Sequence, residues 1–347
     1  MLEAAADRLS PRAVTSAPPI ATDFDVRARL GLQQTLHEYR FPRASRLVGN
    51  RVPRPIKRRF GLASDTDIEG VVDASGFAYS DSFGVDRIKR EAIFGSAWRK
   101  RGVPIVLLPQ ALGPFDNPTT KAWSSRLISQ ASLVFARDAE SAEYARSLKT
   151  GTEIRVCPDF TIGLSPADVP RIVAGPYAAI VPNVRMIRQG VLDRESYLQN
   201  LEGYVRAIRS EGLTAVVVAH QEGDHALAQE MARRSPIEIY AHSEPRHLKA
   251  VIGDADLVVG SRFHAVVGSL SQGVPTITLG WAHKYDHLHR DFEVPDWIAQ
   301  ISDEPGSRVR QILGDADGVR RARDRKLALI DQVEQMWLQT YEVLGIE

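Results

Sequence analysis

Short apolar runs rich in Val, Ile and Leu alternate along this chain with longer segments whose apolar positions recur at helical spacing. Parallel strands covered on both faces and joined by crossover helices leave this pattern, so the sequence predicts an α/β fold. In the first half the runs fall at Gly70–Ala74, Pro104–Leu108, Leu133–Ala136 and Glu153–Val156, with helices near Arg87–Arg101, Pro118–Gln130 and Ala139–Leu148. In the second half they fall at Tyr177–Val181, Thr214–Ala219, Ile237–Tyr240, Leu257–Gly260 and Thr276–Leu279, with helices near Ser196–Glu211, Ala226–Arg233, Arg246–Ile252 and His264–Ser271. Phe160–Pro176 carries three prolines and few periodic apolar positions, which reads as an interdomain linker. The expected division is an N-terminal domain over residues 1–160, a linker over 161–176, a C-terminal domain over 177–315 and a helical segment over 316–347. In that last segment Leu327, Ile330, Val333, Met336, Leu338 and Tyr341 fall at helix spacing, as in a helix that packs back onto the first domain.

Composition narrows the function classes. A chain of 347 residues with 44% apolar and 25% charged positions can bury two cores without disulfide or metal staples. The net charge of +1 offers no global field for nucleic acid. A single cysteine, Cys157, excludes an internal disulfide framework and multi-cysteine metal sites, fits a reducing compartment and reads as a buried thiol. No run approaches the roughly 18 apolar residues of a membrane span, and MLEAAADRLS lacks a secretory pattern, so the expected location is cytoplasmic. Work at the inner face of a membrane stays open. Arg40–Phe60 is basic and interrupted by Pro42, Pro53 and Pro55; it reads as a solvated surface excursion, or more sharply as a patch for anionic lipid or an acceptor phosphate.

The strongest candidate chemistry lies in Asp256–Leu288. An apolar strand ends at Gly260, Ser261 is placed as an N-cap, and a helix follows from about Arg262. Arg262 and His264 then sit at a strand's carboxyl end and a helix's amino end, where α/β sheets bind anions. Arg262 offers a planar fork for phosphate or carboxylate, or pairs with a core acid; His264 can exchange a proton near neutral pH, or is a satisfied helix-start histidine. Trp281, His283 and Lys284 follow the next strand, Lys284 as a second cation at the same rim or as a solvated lysine. Asp286, His287, His289 and Asp291 match no metal motif, and no metal site is expected. In the first half, Gln110 and Gly113 of PQALGPF, Ser75 and Gly76 of DASGF, and Arg137 after LVFA stand at strand ends where backbone or a cation can meet a ligand. An ion pair with Asp138 or Glu140 is the plainer role for Arg137. His220, Glu222 and Asp224 of HQEGD are candidates for acceptor hydroxyls, against ordinary turn chemistry.

Taken in order, VVDASGFAYSDSFG, VLLPQALGPFDNP, VFARDAESAEYARSL, VCPDFTIGL and VVGSRFHAVVGSLSQGVPTITLGWAHKYDHL resemble the polysaccharide pyruvyl transferase family over roughly Ile68–Phe292. The resemblance implies two Rossmann-like domains in a glycosyltransferase-B-like arrangement. It implies transfer of a pyruvyl group from phosphoenolpyruvate to two hydroxyls of a saccharide, in exopolysaccharide or cell-surface glycan synthesis, with no cofactor or metal and an acceptor that can be lipid-linked. Such a donor carries a phosphate and a carboxylate, for which Arg262, Lys284 and Arg137 offer cations. By resemblance, His264 is the general acid. Relatives begin with a strand and a Gly-rich loop ahead of the first helix, whereas Leu2–Leu9 reads as that helix with nothing before it, so the first domain is expected to lack its N-terminal strand. Two rivals are a nucleotide-sugar glycosyltransferase of the same architecture and a non-catalytic binding relative.

Overall fold

A computed structural model describes residues 1–19, 22–36, 47–280 and 283–347. Residues 40–46 of the basic stretch and Trp281 lie outside the described residues. The chain divides into two compact units, one of Met1–Phe160 with Gln332–Glu347, the other of Thr161–Asp331.

The first unit holds, in order, α1 (Leu2–Leu9), β1 (Ser16–Ala17), α2 (Phe24–Arg29), β2 (Gln33–Thr35), α3 (Arg54–Phe60), β3 (Leu62–Ala63), β4 (Val71–Asp73), β5 (Phe77–Tyr79), α4 (Val85–Lys100), β6 (Ile105–Leu112), α5 (Pro118–Ile128), β7 (Leu133–Ala136), α6 (Ala139–Ser147) and β8 (Ile154–Val156). Strands β1, β2 and β3 form a small parallel sheet in that order, and β4, β6, β7 and β8 a second, with β5 also paired to β6. The core strand β6 is buried at all eight positions and runs four residues beyond the expected Leu108, through Pro109 and Gln110. Pro109 has no N–H to give the ladder, and the pairing with β7 shifts register between Leu107 and Gln110, which hid the continuation. Asn117 caps α5 and Asp138 caps α6, each carboxamide or carboxylate oxygen taking backbone N–H groups of the first turn.

The second unit holds β9 (Tyr177–Val181), α7 (Arg185–Arg188), α8 (Arg194–Ser210), β10 (Thr214–Ala219), α9 (His225–Arg234), β11 (Glu238–Ala241), α10 (Pro245–Gly253), β12 (Leu257–Gly260), α11 (Phe263–Leu270), β13 (Thr276–Leu279), α12 (His283–Asp291), β14 (Ile298–Ala299) and α13 (Pro305–Leu313). Its six strands are parallel in the order β11-β10-β9-β12-β13-β14. Strands β9 and β12 are buried throughout, which is why they read as unbroken apolar runs. The long α14 (Ala316–Leu344) belongs to the second unit up to Asp331 and to the first from Gln332. In the first unit its Trp337 packs edge-on against Phe160 at 5.9 Å, and the Tyr341 hydroxyl donates to the Arg8 carbonyl. Cys157 is buried. Among the described residues no helix is long and apolar enough to cross a membrane.

Candidate active site

Strand order determines where a parallel sheet can bind. In the second unit the chain leaves β9 for β10 and β11 on one side, then returns to β12, β13 and β14 on the other. The crevice at such a switch point, outside the carboxyl ends of β9 and β12, is the general ligand position of open α/β sheets. It is bordered by Asn183 after β9 and by Ser261, Arg262, Phe263 and His264 after β12.

Arg262 is buried and gripped by the fully buried Asp224, with Nε donating to Oδ2 at 2.7 Å and Nη2 to Oδ1 at 2.5 Å. The expectation that Asp224 meets acceptor hydroxyls is thereby corrected: its carboxylate is spent on Arg262 and on the Val184 N–H, which it accepts at 3.0 Å. One acid thus ties together the segments after β9, β10 and β12. The fork of Arg262 is held by its Nε edge, leaving Nη1 without a partner among the described residues.

Ser261 does not cap the helix. Arg262 occupies the N-cap position of α11 without a side-chain cap, and the Ser261 hydroxyl instead lies 2.6 Å from the Tyr197 hydroxyl. The Ser261 carbonyl accepts Asn183 Nδ2 at 2.6 Å and the Tyr285 hydroxyl at 2.7 Å, while the Tyr197 hydroxyl accepts the Asn183 N–H at 3.0 Å. These buried bonds fix the strand end, and Asn183, Tyr197 and Tyr285 are residues that sequence reasoning missed. Only knowledge that β9 and β12 are neighbours would have flagged Asn183.

His264 stands in the first turn of α11, its ring edge-on to Phe263 at 5.7 Å. Lys284, from the first turn of α12, places Nζ 5.2 Å from the Phe263 ring centroid and 5.4 Å from that of Tyr285. The structure therefore brings Lys284 to the segment holding Arg262 and His264. His220, just past β10, has its pKa pushed down to about 4 by burial and by the nearby Arg262 guanidinium, so its ring is neutral near pH 7. His289 is a core histidine, its Nε2 2.8 Å from Thr278 Oγ1 and its pKa driven to about 3 by burial. Among the described residues no cluster of three His, Cys, Asp or Glu side chains could hold a metal.

The first unit gathers other candidates at the carboxyl ends of its strands. Gln110 is fully buried, and both polar atoms of its side chain lack a hydrogen-bond partner among the described residues. A sealed, unsatisfied amide of this kind costs about 1–3 kcal/mol and marks a place for a ligand or water. Arg137, whose N–H donates to the Gln110 carbonyl, pairs at 3.4 Å with buried Asp159. Asp138 is the cap of α6. Gly113 has φ +74 and a Cβ there would lie 2.6 Å from the Tyr144 ring, so glycine is required by packing.

Gly76, with φ +76, follows Ser75, whose hydroxyl accepts from Arg87 at 3.1 Å and whose N–H donates to Asp73 Oδ1 at 2.9 Å. The Tyr79 hydroxyl donates to the other Asp73 oxygen. Glu91, one turn beyond Arg87 on α4, has its carboxyl raised to about 7 by burial and by the Asp73 carboxylate. Asp73, Tyr79, Arg87 and Glu91 were not foreseen. A helix carboxyl raised by a like charge gives no local sequence signal when that charge sits at a strand end eighteen positions upstream.

By fold the chain is similar to MnaA of S. aureus solved with UDP, at TM-score 0.63 and 12% identity, covering 99% of this chain and 93% of that one. It is also similar to the UDP-GlcNAc 2-epimerase of Neisseria meningitidis bound to UDP-GlcNAc, at TM-score 0.59 and 8% identity, covering 96% of each chain. A third is a UDP-glucosyltransferase of Polygonum tinctorium, at TM-score 0.53 and 13% identity, covering 99% of this chain and 95% of that one. Identities this low establish the fold alone, Rossmann-like units of the glycosyltransferase-B-like class. No curated protein is a significant match to the sequence. The family model of the polysaccharide pyruvyl transferases, however, matches residues 28–283, which span both the DASGF turn and the Arg262–His264 segment, and the chain belongs to that family.

Proposed function

We propose that this protein transfers a pyruvyl group from phosphoenolpyruvate to two hydroxyls of a saccharide, forming a cyclic ketal and releasing phosphate, in the synthesis of an exopolysaccharide or cell-surface glycan. The observation that carries the proposal is the placement of Arg262 and His264 at the switch point of the second unit, with Lys284 beside Phe263. A ligand with a phosphate and a carboxylate needs fixed cations, and Arg262 is oriented by Asp224 while Lys284 is not buried away.

In the proposed reaction His264 gives a proton to the methylene carbon of the donor, leaving the adjoining carbon electrophilic. One saccharide hydroxyl adds to that carbon and loses its proton. The carbon–oxygen bond to phosphate then breaks, phosphate leaves with the bond pair, and a second hydroxyl adds and loses its proton to close the ketal. His220, neutral near pH 7, does not carry the extra proton that a general acid would give. Gln110, Ser75, Gly76 and Arg137 are proposed to meet substrate in the first unit, the unsatisfied Gln110 amide being the best supported of them.

Thermal stabilisation by phosphoenolpyruvate, compared with phosphate and UDP-sugars, tests the donor, because a ligand that binds only the folded chain raises its melting temperature. The expected result is a shift with phosphoenolpyruvate that Lys284→Ala and Arg262→Ala diminish. Lys284→Ala keeps the test sound should Arg262→Ala fold poorly. A shift with UDP-sugars alone would favour the second reading, nucleotide-sugar chemistry, which the UDP and UDP-GlcNAc in the similar structures recommend. Stabilisation by phosphoenolpyruvate without turnover on any glycan would instead indicate a binding relative.

A further inference from the structure

We propose that the segment from Leu47 to Phe60 is a docking surface for an anionic lipid bilayer. This does not depend on the donor assignment above. Twelve large apolar side chains stand well exposed among the described residues, and four of them, Leu47, Val48, Ile56 and Phe60, fall within these fourteen positions. Leu47, Val48 and Phe60 are more than half exposed, Phe60 at 65%. Exposed apolar side chains gathered in one short stretch of chain suit a contact surface.

The charge of the segment selects the partner. It contains Arg51, Arg54, Lys57, Arg58 and Arg59 and no acidic residue. The four arginines are exposed, and none forms an ion pair with a described residue. Lys57 alone turns inward, donating to Ser64 Oγ at 2.9 Å and to Asp67 Oδ2 at 2.5 Å, and it anchors α3 to the body of the unit. A second anchor is Gly49, buried with its Cα against Leu36, where a Cβ would come within 3.0 Å of the Leu36 side chain. With those two positions tied down, Ile56 and Phe60, four residues apart on α3, share a face with Arg59 beside them. Arginines around exposed aliphatic and aromatic side chains match the two parts of a bilayer surface, anionic headgroups and the acyl boundary beneath. A soluble acidic protein would satisfy the arginines without needing the exposed apolar side chains.

The test is sedimentation of the full chain with vesicles of phosphatidylcholine, and of phosphatidylcholine mixed with phosphatidylglycerol. The wild type is expected to bind the anionic vesicles and not the neutral ones. Arg58→Ala and Arg59→Ala should each weaken binding about fivefold, the worth of one arginine near an anionic surface. Ile56→Ser/Phe60→Ser should abolish it, whereas the exposed control Leu327→Ser should not. Unchanged melting curves establish that each variant folds. Absence of binding to either vesicle, or binding that survives both the arginine and the apolar substitutions, would overturn the proposal. So would concentration-dependent dimerisation removed by Ile56→Ser/Phe60→Ser without any vesicle binding, which would make the occupant a second copy of the chain.

Discussion

Substituting Asp224 probes how firmly the structure holds its central cation. Asp224 is fully buried and Arg262 is 7% exposed, so Asp224→Ala strands a guanidinium with little access to water. Breaking one side of such a pair costs about 3–5 kcal/mol, because the remaining charge is left uncompensated. The Val184 N–H also loses its acceptor, adding about 1 kcal/mol. For a unit of this size each kcal/mol shifts the melting temperature by roughly 2–4 °C, so a fall on the order of 10 °C is expected by calorimetry. The double variant Arg262→Met/Asp224→Asn removes both charges while keeping an oxygen for Val184. It should recover most of the loss, since a buried ion pair is often no more stabilising than neutral groups of similar volume. A cost below about 1 kcal/mol for Asp224→Ala, or a double variant no more stable than that single one, would show the pair to be solvated and would refute the idea that Asp224 fixes Arg262.

Other outcomes follow from the same structure. His289 has its folded pKa at about 3 against 6.5 in the unfolded chain, so the unfolded state takes up a proton first and stability falls as pH drops from about 6.5 toward 3; His289→Gln should flatten that slope by up to one proton, about 1.4 kcal/mol per pH unit, in acid-unfolding titrations. Glu91 gives the opposite sign: with its folded pKa raised to about 7 from 4.5, stability is lost as pH rises between those values, and Glu91→Gln should remove that loss when melting is followed across the range. Gly113→Ala meets both a left-handed backbone and the Tyr144 ring, and should destabilise the first unit by more than about 1 kcal/mol in denaturant unfolding; a neutral result would contradict the packing described.

What could be read from the sequence tracks burial. Tyr177–Val181, Thr214–Ala219, Leu257–Gly260 and Thr276–Leu279 are found as predicted, because buried parallel strands are written as continuous apolar runs. The strands at Ser16–Ala17, Gln33–Thr35, Leu62–Ala63 and Ile298–Ala299 are too short to leave a run, and Pro109 concealed the second half of β6. The Arg262–His264 segment was visible because a strand end and a helix start adjoin there. Its supports were not: Asp224 lies thirty-eight positions from Arg262 and Asn183 seventy-eight from Ser261, separations bridged only by sheet order. The histidines and acids of Asp286–Asp291, suggestive in one dimension, are distributed around a helix, and one of them, His289, points into the core.

The central claim, that the switch point of the second unit holds phosphoenolpyruvate through Arg262, is tested most directly by titration calorimetry. Phosphoenolpyruvate and UDP-GlcNAc would each be titrated into the wild type and into Arg262→Met/Asp224→Asn, whose stability is expected to be near that of the wild type. Binding of phosphoenolpyruvate to the wild type, its loss in the double variant and no binding of UDP-GlcNAc is the predicted result. Equal binding of phosphoenolpyruvate by both proteins, or binding of UDP-GlcNAc in its place, would contradict it.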